Sequence, residues 1–414
     1  MLAVRLAGTG FENLYIERVP VPEVGPGQML CRVDASGVCS SNLKLIAQGS
    51  SHSLINGWDM EQFPLTLGEE AALTVVRIGD ELADKYSVGQ RLSIQPAVDL
   101  PPMTHRERYA NNAEGMTKAA VGYTLSGMLA EYFLVPDEVL AGDCLIPLPN
   151  DDLPYYAVAI AEPIGCAHKS QEQHVHLVKD GPLAPREARL GLLEGGTTVV
   201  IGAGTIGRMH AELALRFRPA DLIVSAKGEG AKQKVSDSLT SIATDRGVQL
   251  HVVDPGELAE VVRRIAPGGA DDVIIAVGSR EAQQEALGLL NRGGVANLFG
   301  GLRRGDHVLE IDSLDIHYRE TRIVGSSGGD PWDMKDTLDL IAGGQFDAGN
   351  YVYGVGGLEH TVEILKRMSR ERVNGRAIVY PHVKGIDFRQ VDYWDADQER
   401  ELLRESTVYS RPAG

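Results

Sequence analysis

The feature that most restricts the fold is the run Thr197-Thr198-Val199-Val200-Ile201-Gly202-Ala203-Gly204-Thr205-Ile206-Gly207, a β-branched strand that breaks into GxGxxG and continues as a helix. Each glycine answers a separate demand: Gly202 permits the sharp turn, Gly204 lets backbone amides approach a pyrophosphate, and Gly207 lets helix and strand pack closely. A bare GxGxxG is a weak signal, but here strands and helices keep alternating behind it. Strand-like runs at 221–225, 272–277 and 295–299 are separated by helical patterns near 257–265 and at 281–290, with a further helix at 205–216. That order describes a parallel sheet with helices on both faces, and so a dinucleotide site at Gly202, Gly204, Thr205, Ile206 and Gly207.

The rest of the chain divides around this unit. Short β-rich runs at 28–33, 72–79, 89–94 and 131–136 read as half-buried strands of a barrel-like lobe. Between them, 96–124 is rich in Pro, Asn and charge and is expected to be a surface excursion. At 151 the pattern changes to a helix, with Asp151 or Asp152 as its cap and Pro154 in its first turn. Residues 174–195 read as a polar loop, with His174 and His176 facing water. A helix at 334–342 leads to a final segment ending in Arg376-Ala377-Ile378-Val379-Tyr380. The expected domains are 1–160, completed by 335–390; a nucleotide-binding domain at 161–334; and a charged C-terminal tail at 391–414.

Composition narrows the partners. The 414 residues carry a formal net charge of −17, which repels a polyanion, so nucleic acid is not expected to bind. No apolar run approaches a membrane span, and the start lacks a basic segment followed by an apolar one, so a cytoplasmic location is expected. The four cysteines, Cys31, Cys39, Cys144 and Cys166, fit neither a disulfide framework nor a CxxC knuckle, which suits a reducing compartment. Cys31, Cys144 and Cys166 are expected to pack, as is His168.

The position about twenty residues past the glycine turn distinguishes the two dinucleotides. A carboxylate there would bind the ribose hydroxyls and repel a 2′-phosphate, whereas this chain has Ser225-Ala226-Lys227. Lys227, with Lys232 and Lys234 in the following loop, favours NADP over NAD; a solvated turn is the alternative.

These residues resemble the medium-chain dehydrogenase/reductase family, the zinc-type alcohol and polyol dehydrogenases, from the N-terminus to about Tyr380. Gly37-Val38-Cys39-Ser40-Ser41-Asn42 is similar to its first metal-ligand motif and Gly68-Glu69-Glu70 to its Gly-His-Glu motif. Ala161-Glu162-Pro163 is similar to the Glu-Pro motif of the polyol branch. The resemblance implies an α/β protein, with a GroES-like β-rich catalytic domain and a doubly wound Rossmann domain holding cofactor and substrate in the cleft between them. It further implies Cys39 and Glu162 as zinc ligands, Glu70 as an exchanging ligand, and Ser41 as the group relaying the proton. Lys44 stands where many relatives place a proton-passing histidine, and Arg376 resembles their cation near the cofactor phosphates, a surface strand charge being the alternative.

The chain departs from the family pattern at Glu69, where histidine is usual. Cys39, Glu69 and Glu162 would surround a divalent ion with three negative charges, a weaker Lewis acid that is still within zinc's accepted donors. Alternatively the metal is lost and the three form a hydrogen-bonded polar cluster. The four cysteines of the family's structural zinc are missing between 96 and 124, so a single catalytic Zn²⁺ and no structural zinc are expected. His317 and the turn Gly325-Ser326-Ser327-Gly328-Gly329 either touch nicotinamide or simply end a strand. The expected activity is hydride transfer between NADP or NAD and a polyol, ketose, sugar phosphate or cyclitol, in a homodimer or homotetramer. The rivals are a metal-free reductase using Glu69 or Lys44 as acid or base, and a nucleotide-binding protein without turnover.

Overall fold

The computed structural model describes residues 1–303 and 305–405. The chain forms two compact units, Met1–Gly165 with the chain from Gly329 onward, and Cys166–Gly328. Among the described residues no helix is long and apolar enough to cross a membrane.

The second unit is built on six parallel strands in the order Gln249–Val253, Asp221–Ser225, Thr197–Ile201, Ala270–Ile275, Leu290–Asn297, Arg322–Val324. In chain order this is 3-2-1-4-5-6, the doubly wound arrangement. Because side chains alternate along a strand, Val199 and Val200 enter different cores. Val200 packs with Ala211, Val235 and Leu239 of the helices Thr205–Ala214 and Glu229–Asp245. Val199 packs with Leu258, Val262 and Ala286 of Leu258–Ile265 and Arg280–Leu287 on the other face. Each fully buried aliphatic side chain contributes about 1.5–3 kcal/mol, so both faces must be covered, which explains the near-continuous apolar strands.

The first unit contains an eight-stranded sheet in which Met29–Val38 is the hub. It pairs antiparallel with Glu70–Ile78 on one side and with Arg376–Tyr380 and Tyr132–Leu134 elsewhere along its length. The expected strands at 28–33, 72–79, 89–94 and 131–136 all appear here, and Arg376–Tyr380 joins from the far end of the chain.

Four local expectations are corrected. The segment 96–124 is not wholly on the surface: Tyr109 and Ala113 are buried in the core, with Tyr109 edge-on to Trp58 at 5.5 Å and its hydroxyl donating to the Thr124 carbonyl. Aromatic burial outweighs the polar composition of the segment. The stretch at 174–195 is a hairpin, Val175–Val178 paired with Glu187–Leu190, and His174 and His176 are buried rather than in water because both engage Asp272. Lys232 lies on the helix Glu229–Asp245, not in a loop.

The fourth correction concerns the C-terminus and the helix expected at 151. Tyr155–Ala159 is capped by neither Asp151 nor Asp152; the amides of Tyr155 and Tyr156 donate to Glu399, each at 2.8 Å. Glu399 lies on the helix Ala396–Glu405 and also accepts the Tyr380 hydroxyl at 2.9 Å, while Trp394 donates its indole N–H to Tyr380 at 2.9 Å. The stretch 391–405 is therefore packed structure, not a tail, because Trp394 and Leu402 are buried and Glu399 supplies the cap. The remainder of the expected tail, 406–414, lies outside the described residues.

Candidate active site

The register of three strands assembles the site in the first unit. Gly37 faces Glu70 and Val38 faces Ala377, so the chain ends just beyond these pairs bring Cys39, Glu69, Glu70 and Arg376 together. A Cβ on Gly37 would overlap the Glu70 carboxylate, so glycine there makes room for it. Immediately after Cys39 the helix Ser41–Gln48 begins, which turns Ser41 and Asn42 toward the same point.

Donor atoms of Cys39, Glu69 and Glu70 all lie within 4.8 Å of one another. Arg376 Nε donates to both Glu70 oxygens at 3.1 Å, and both side chains are nearly or fully enclosed. Burial raises the Glu70 pKa against the opposing pull of Arg376. Burial likewise drives the Cys39 thiol well up, opposed by Arg376 and reinforced by Glu70 and Glu69. For Arg376 itself burial disfavours the charge, yet Glu70, Cys39, Glu162 and Glu69 outweigh it and hold the guanidinium above its usual value. Arg376 is therefore no surface strand charge; it is the buried counter-ion of Glu70.

Glu69 is satisfied differently. Ser41 donates its hydroxyl to Glu69 Oε1, and the Asn42 amide donates to Oε2 at 2.9 Å and Oε1 at 3.2 Å. A carboxylate in this position needs donors around it, and Ser41 and Asn42 supply them. Tyr123 completes the surroundings: burial first, then Glu69 and Cys39, push its phenol well up, while a hydrogen bond with Ser41 opposes them. His52 lies against the Tyr123 ring, centroids 5.6 Å apart, and burial followed by Lys44 lowers its pKa.

Of the residues expected here, Cys39, Ser41, Glu69 and Glu70 come together, and Arg376, expected near the cofactor phosphates, joins them through Glu70. Glu162 stands outside the set of mutually close donor atoms, yet near enough to act on Tyr123 and Arg376. Lys44 is exposed on the helix that carries Ser41. Asn42, Tyr123 and His52 were not anticipated. The only local sign of Asn42 was its place directly after Ser41, His52 was marked only by following Ala47-Gln48-Gly49, and nothing local marked Tyr123.

The dinucleotide turn in the second unit meets the steric demands of its sequence. Gly202 has φ +111°, in the region that favours glycine, and a Cβ on Gly207 would overlap the Gly202 carbonyl oxygen. A Cβ on Gly204 would meet nothing within 4 Å, which leaves an open cradle at the start of the helix Thr205–Ala214. Thr205 and Ile206 are its first residues, where helix amides have no intrahelical acceptor. Ser225 ends the neighbouring strand with a buried hydroxyl that has no partner among the described residues, and Lys227 just beyond is exposed. Lys232 is engaged by Glu229 and Asp254, both at 2.6 Å. The open cradle and the unpaired Ser225 hydroxyl fit a bound dinucleotide.

Two family models match parts of the chain: the alcohol dehydrogenase GroES-like domain matches residues 25–149, and the zinc-binding dehydrogenase model matches 222–343. The chain is a zinc-type medium-chain dehydrogenase/reductase. As a member of that family it is an NAD(P)-dependent oxidoreductase. The dehydrogenase is 26% identical over 388 residues to mannitol-1-phosphate 5-dehydrogenase of Aliivibrio fischeri, covering 90% of this chain and 85% of the relative. It is 25% identical to L-sorbose 1-phosphate reductase of Klebsiella pneumoniae, with 97% of each covered. A zinc-binding dehydrogenase of Sinorhizobium meliloti solved with NADP superposes with a TM-score of 0.71 at 25% identity, covering 92% of this chain and 99% of that one.

Proposed function

We propose that this dehydrogenase transfers hydride between NADP and the carbinol or keto carbon of a small polyol, ketose, sugar phosphate or cyclitol, with Ser41 exchanging the proton on the substrate oxygen. The observation that carries this reading is the Ser41 hydroxyl, already aligned on buried Glu69 beside Cys39. Bound nicotinamide supplies or accepts the hydride, and a divalent ion, zinc by family, would polarise the oxygen. Cys39, Glu69 and Glu70 hold donors close enough for such an ion, with Glu162 as a further carboxylate, and thiolate with carboxylates is an accepted zinc set.

The chain's own residues handle the proton. In reduction the Ser41 hydroxyl, which donates to Glu69 in this structure, turns its proton to the substrate oxygen and is reprotonated from solvent by way of Tyr123; in oxidation the same transfers run in reverse. Asn42 holds the Glu69 carboxylate from its other side, so the acceptor does not turn away. Tyr123 shares the Ser41 hydroxyl and, with His52 against its ring, offers a way out for the proton. Arg376 offsets the charge of Glu70 and so limits the negative potential an alkoxide would meet.

Gly202, Gly204, Thr205, Ile206 and Gly207 would seat the pyrophosphate, and Ser225 and Lys227 the adenosine ribose. The absent carboxylate and exposed Lys227 favour the 2′-phosphorylated form. The names of the two relatives put phosphorylated hexitols and ketoses first among substrates. A homo-oligomer is supported by the edge strand Arg322–Val324 and the exposed Val308, Leu314 and Tyr318 before it. Four free cysteines suit a reducing, cytoplasmic setting.

The test is oxidation of NADPH, followed by the loss of reduced-nicotinamide absorbance, against a panel of ketoses with and without phosphate. Turnover with at least one ketose supports the reading; tight NADPH uptake with no turnover on any member contradicts it. A second, metal-free reading is favoured by one observation, that Ser41 and Asn42 already satisfy Glu69. Activity that survives chelation and the Cys39→Ala change would select it.

A further inference from the structure

The second unit buries a cluster of chemistry that the nucleotide turn does not use. His174, just before the hairpin strand Val175–Val178, places Nδ1 at 2.6 Å from Asp272 Oδ1, and His176 places Nε2 at 2.8 Å from the same oxygen. Asp272 sits in the sheet strand Ala270–Ile275 and receives the Leu193 amide on its other oxygen at 2.8 Å. One donor atom from each of the three residues lies within 4.8 Å of the others, and relative exposures are 0% for His174, 6% for His176 and 0% for Asp272. Against the effect of burial, hydrogen bonds from His174 and His176 hold the Asp272 carboxyl below its ordinary range, so a charged carboxylate stands between two imidazoles in a dry interior.

The surroundings are short of partners in a way native interiors rarely are. Among the described residues His174 Nε2 is buried without a hydrogen bond, and so are both ring nitrogens of His210, whose ring is fully buried with its edge on Phe299. Thr198, the register partner of Asp272, adds a buried hydroxyl with no partner among the described residues. The second strand of the hairpin, Glu187–Leu190, is exposed along its whole length, so the hairpin is held from its first strand, where His176 is buried. Isolated two-stranded hairpins are marginal in water, and this one is held to the sheet through its first strand, which packs against Leu290–Asn297.

We propose that His174, His176 and Asp272 bind a divalent transition-metal ion, zinc by preference, that clasps the 175–190 hairpin to the nucleotide-binding sheet. The donors are His174 Nδ1, His176 Nε2 and Asp272 Oδ1, a two-nitrogen, one-oxygen set suited to Zn²⁺. Both imidazoles bind in their neutral forms: each moves its proton to the other ring nitrogen, so no net proton is released and no redox change occurs. The freed N–H of His174 then needs an acceptor, and His210, a neutral imidazole with two unused nitrogens, stands close enough to interact with it electrostatically. The role is structural, since this site shares no residue with the Cys39 cluster.

The test uses full-length Cys39→Ala protein, which removes the thiolate of the other candidate site, loaded with Co²⁺ alone. The expected result is about one equivalent of Co²⁺ per chain with visible d–d bands and no thiolate charge-transfer band. Adding His176→Gln to the Cys39→Ala chain is expected to abolish those bands, while NADPH uptake, which reports a folded second unit, is retained. Cys39→Ala protein that takes up NADPH but no Co²⁺ overturns the proposal, and so do bands that survive in the double variant. If His176→Gln abolishes NADPH uptake, His174→Gln and Asp272→Asn are read in its place by the same two measurements.

Discussion

Replacing Arg376 by methionine tests the electrostatic design of the catalytic cluster. The guanidinium meets both Glu70 oxygens at 3.1 Å, with side-chain exposures of 6% and 0%. At that separation, and with the effective dielectric near 20 that describes protein sites, the Coulomb attraction is about 5 kcal/mol. Removing one partner of a buried pair costs about 3–5 kcal/mol, because the other charge stays behind, and this is the loss expected for Arg376→Met at neutral pH. Glu70 can limit the loss by taking up a proton. Its folded-state pKa is already raised by burial, and it rises further once the opposing pull of Arg376 is gone. A carboxyl raised in the folded state contributes its stability below the unfolded pKa, near 4.5, and loses it as pH climbs through the folded value. The deficit of Arg376→Met is therefore expected to be smallest near that lower value and to widen toward alkaline pH. Urea unfolding with chelator present, across that range, for wild type, Arg376→Met, Glu70→Gln and the double variant measures it. The double variant is expected to recover at least half the loss. A deficit below about 1 kcal/mol, or one that does not change with pH, would refute the reasoning.

Three further outcomes follow from the geometry. Gly204→Ala is expected to fold with unchanged thermal stability, because its Cβ meets no protein atom within 4 Å, and to weaken NADPH binding by about tenfold or more, read by calorimetry. Lys227→Glu is expected to weaken NADPH by about tenfold or more while sparing NADH, since a carboxylate there repels the 2′-phosphate; equal losses for both would count against it. Glu399, whose pKa burial pushes up to about 7, contributes stability below its ordinary value of 4.5 and loses it as pH rises through about 7. Glu399→Gln removes the titrating group and one of its two acceptor oxygens, so melting temperature should fall and its dependence on pH should flatten across that interval.

How much of this was legible in the chain depends on how local each cause is. The Gly202–Gly207 turn was readable because its three glycines answer steric demands set within a few residues, and the alternating strands confirmed them. Cys39, Glu69 and Glu70 were visible as motifs, but the role of Arg376 was not: its pairing with Glu70 comes from a strand register joining positions far apart in sequence. Asn42 and Tyr123 became meaningful only once Glu69 had a position in space. His174 and His176 looked like loop residues because their surroundings are polar, whereas their burial is decided by Asp272, nearly a hundred residues on. The same distance hid the cap on Tyr155–Ala159, where Glu399 displaces the nearer aspartates. In each case composition described the neighbourhood correctly and missed the single distant partner that outweighs it.

The account turns on Ser41 as the group that moves the substrate's proton. Turnover and NADPH affinity of Ser41→Ala, measured beside wild type on whichever ketose the panel identifies, test this most directly. Loss of a positioned acid–base group is worth about 10²–10⁴ in rate, so kcat is expected to fall by that factor while NADPH affinity and melting temperature hold. A Ser41→Ala protein that turns over within a few-fold of wild type would contradict it.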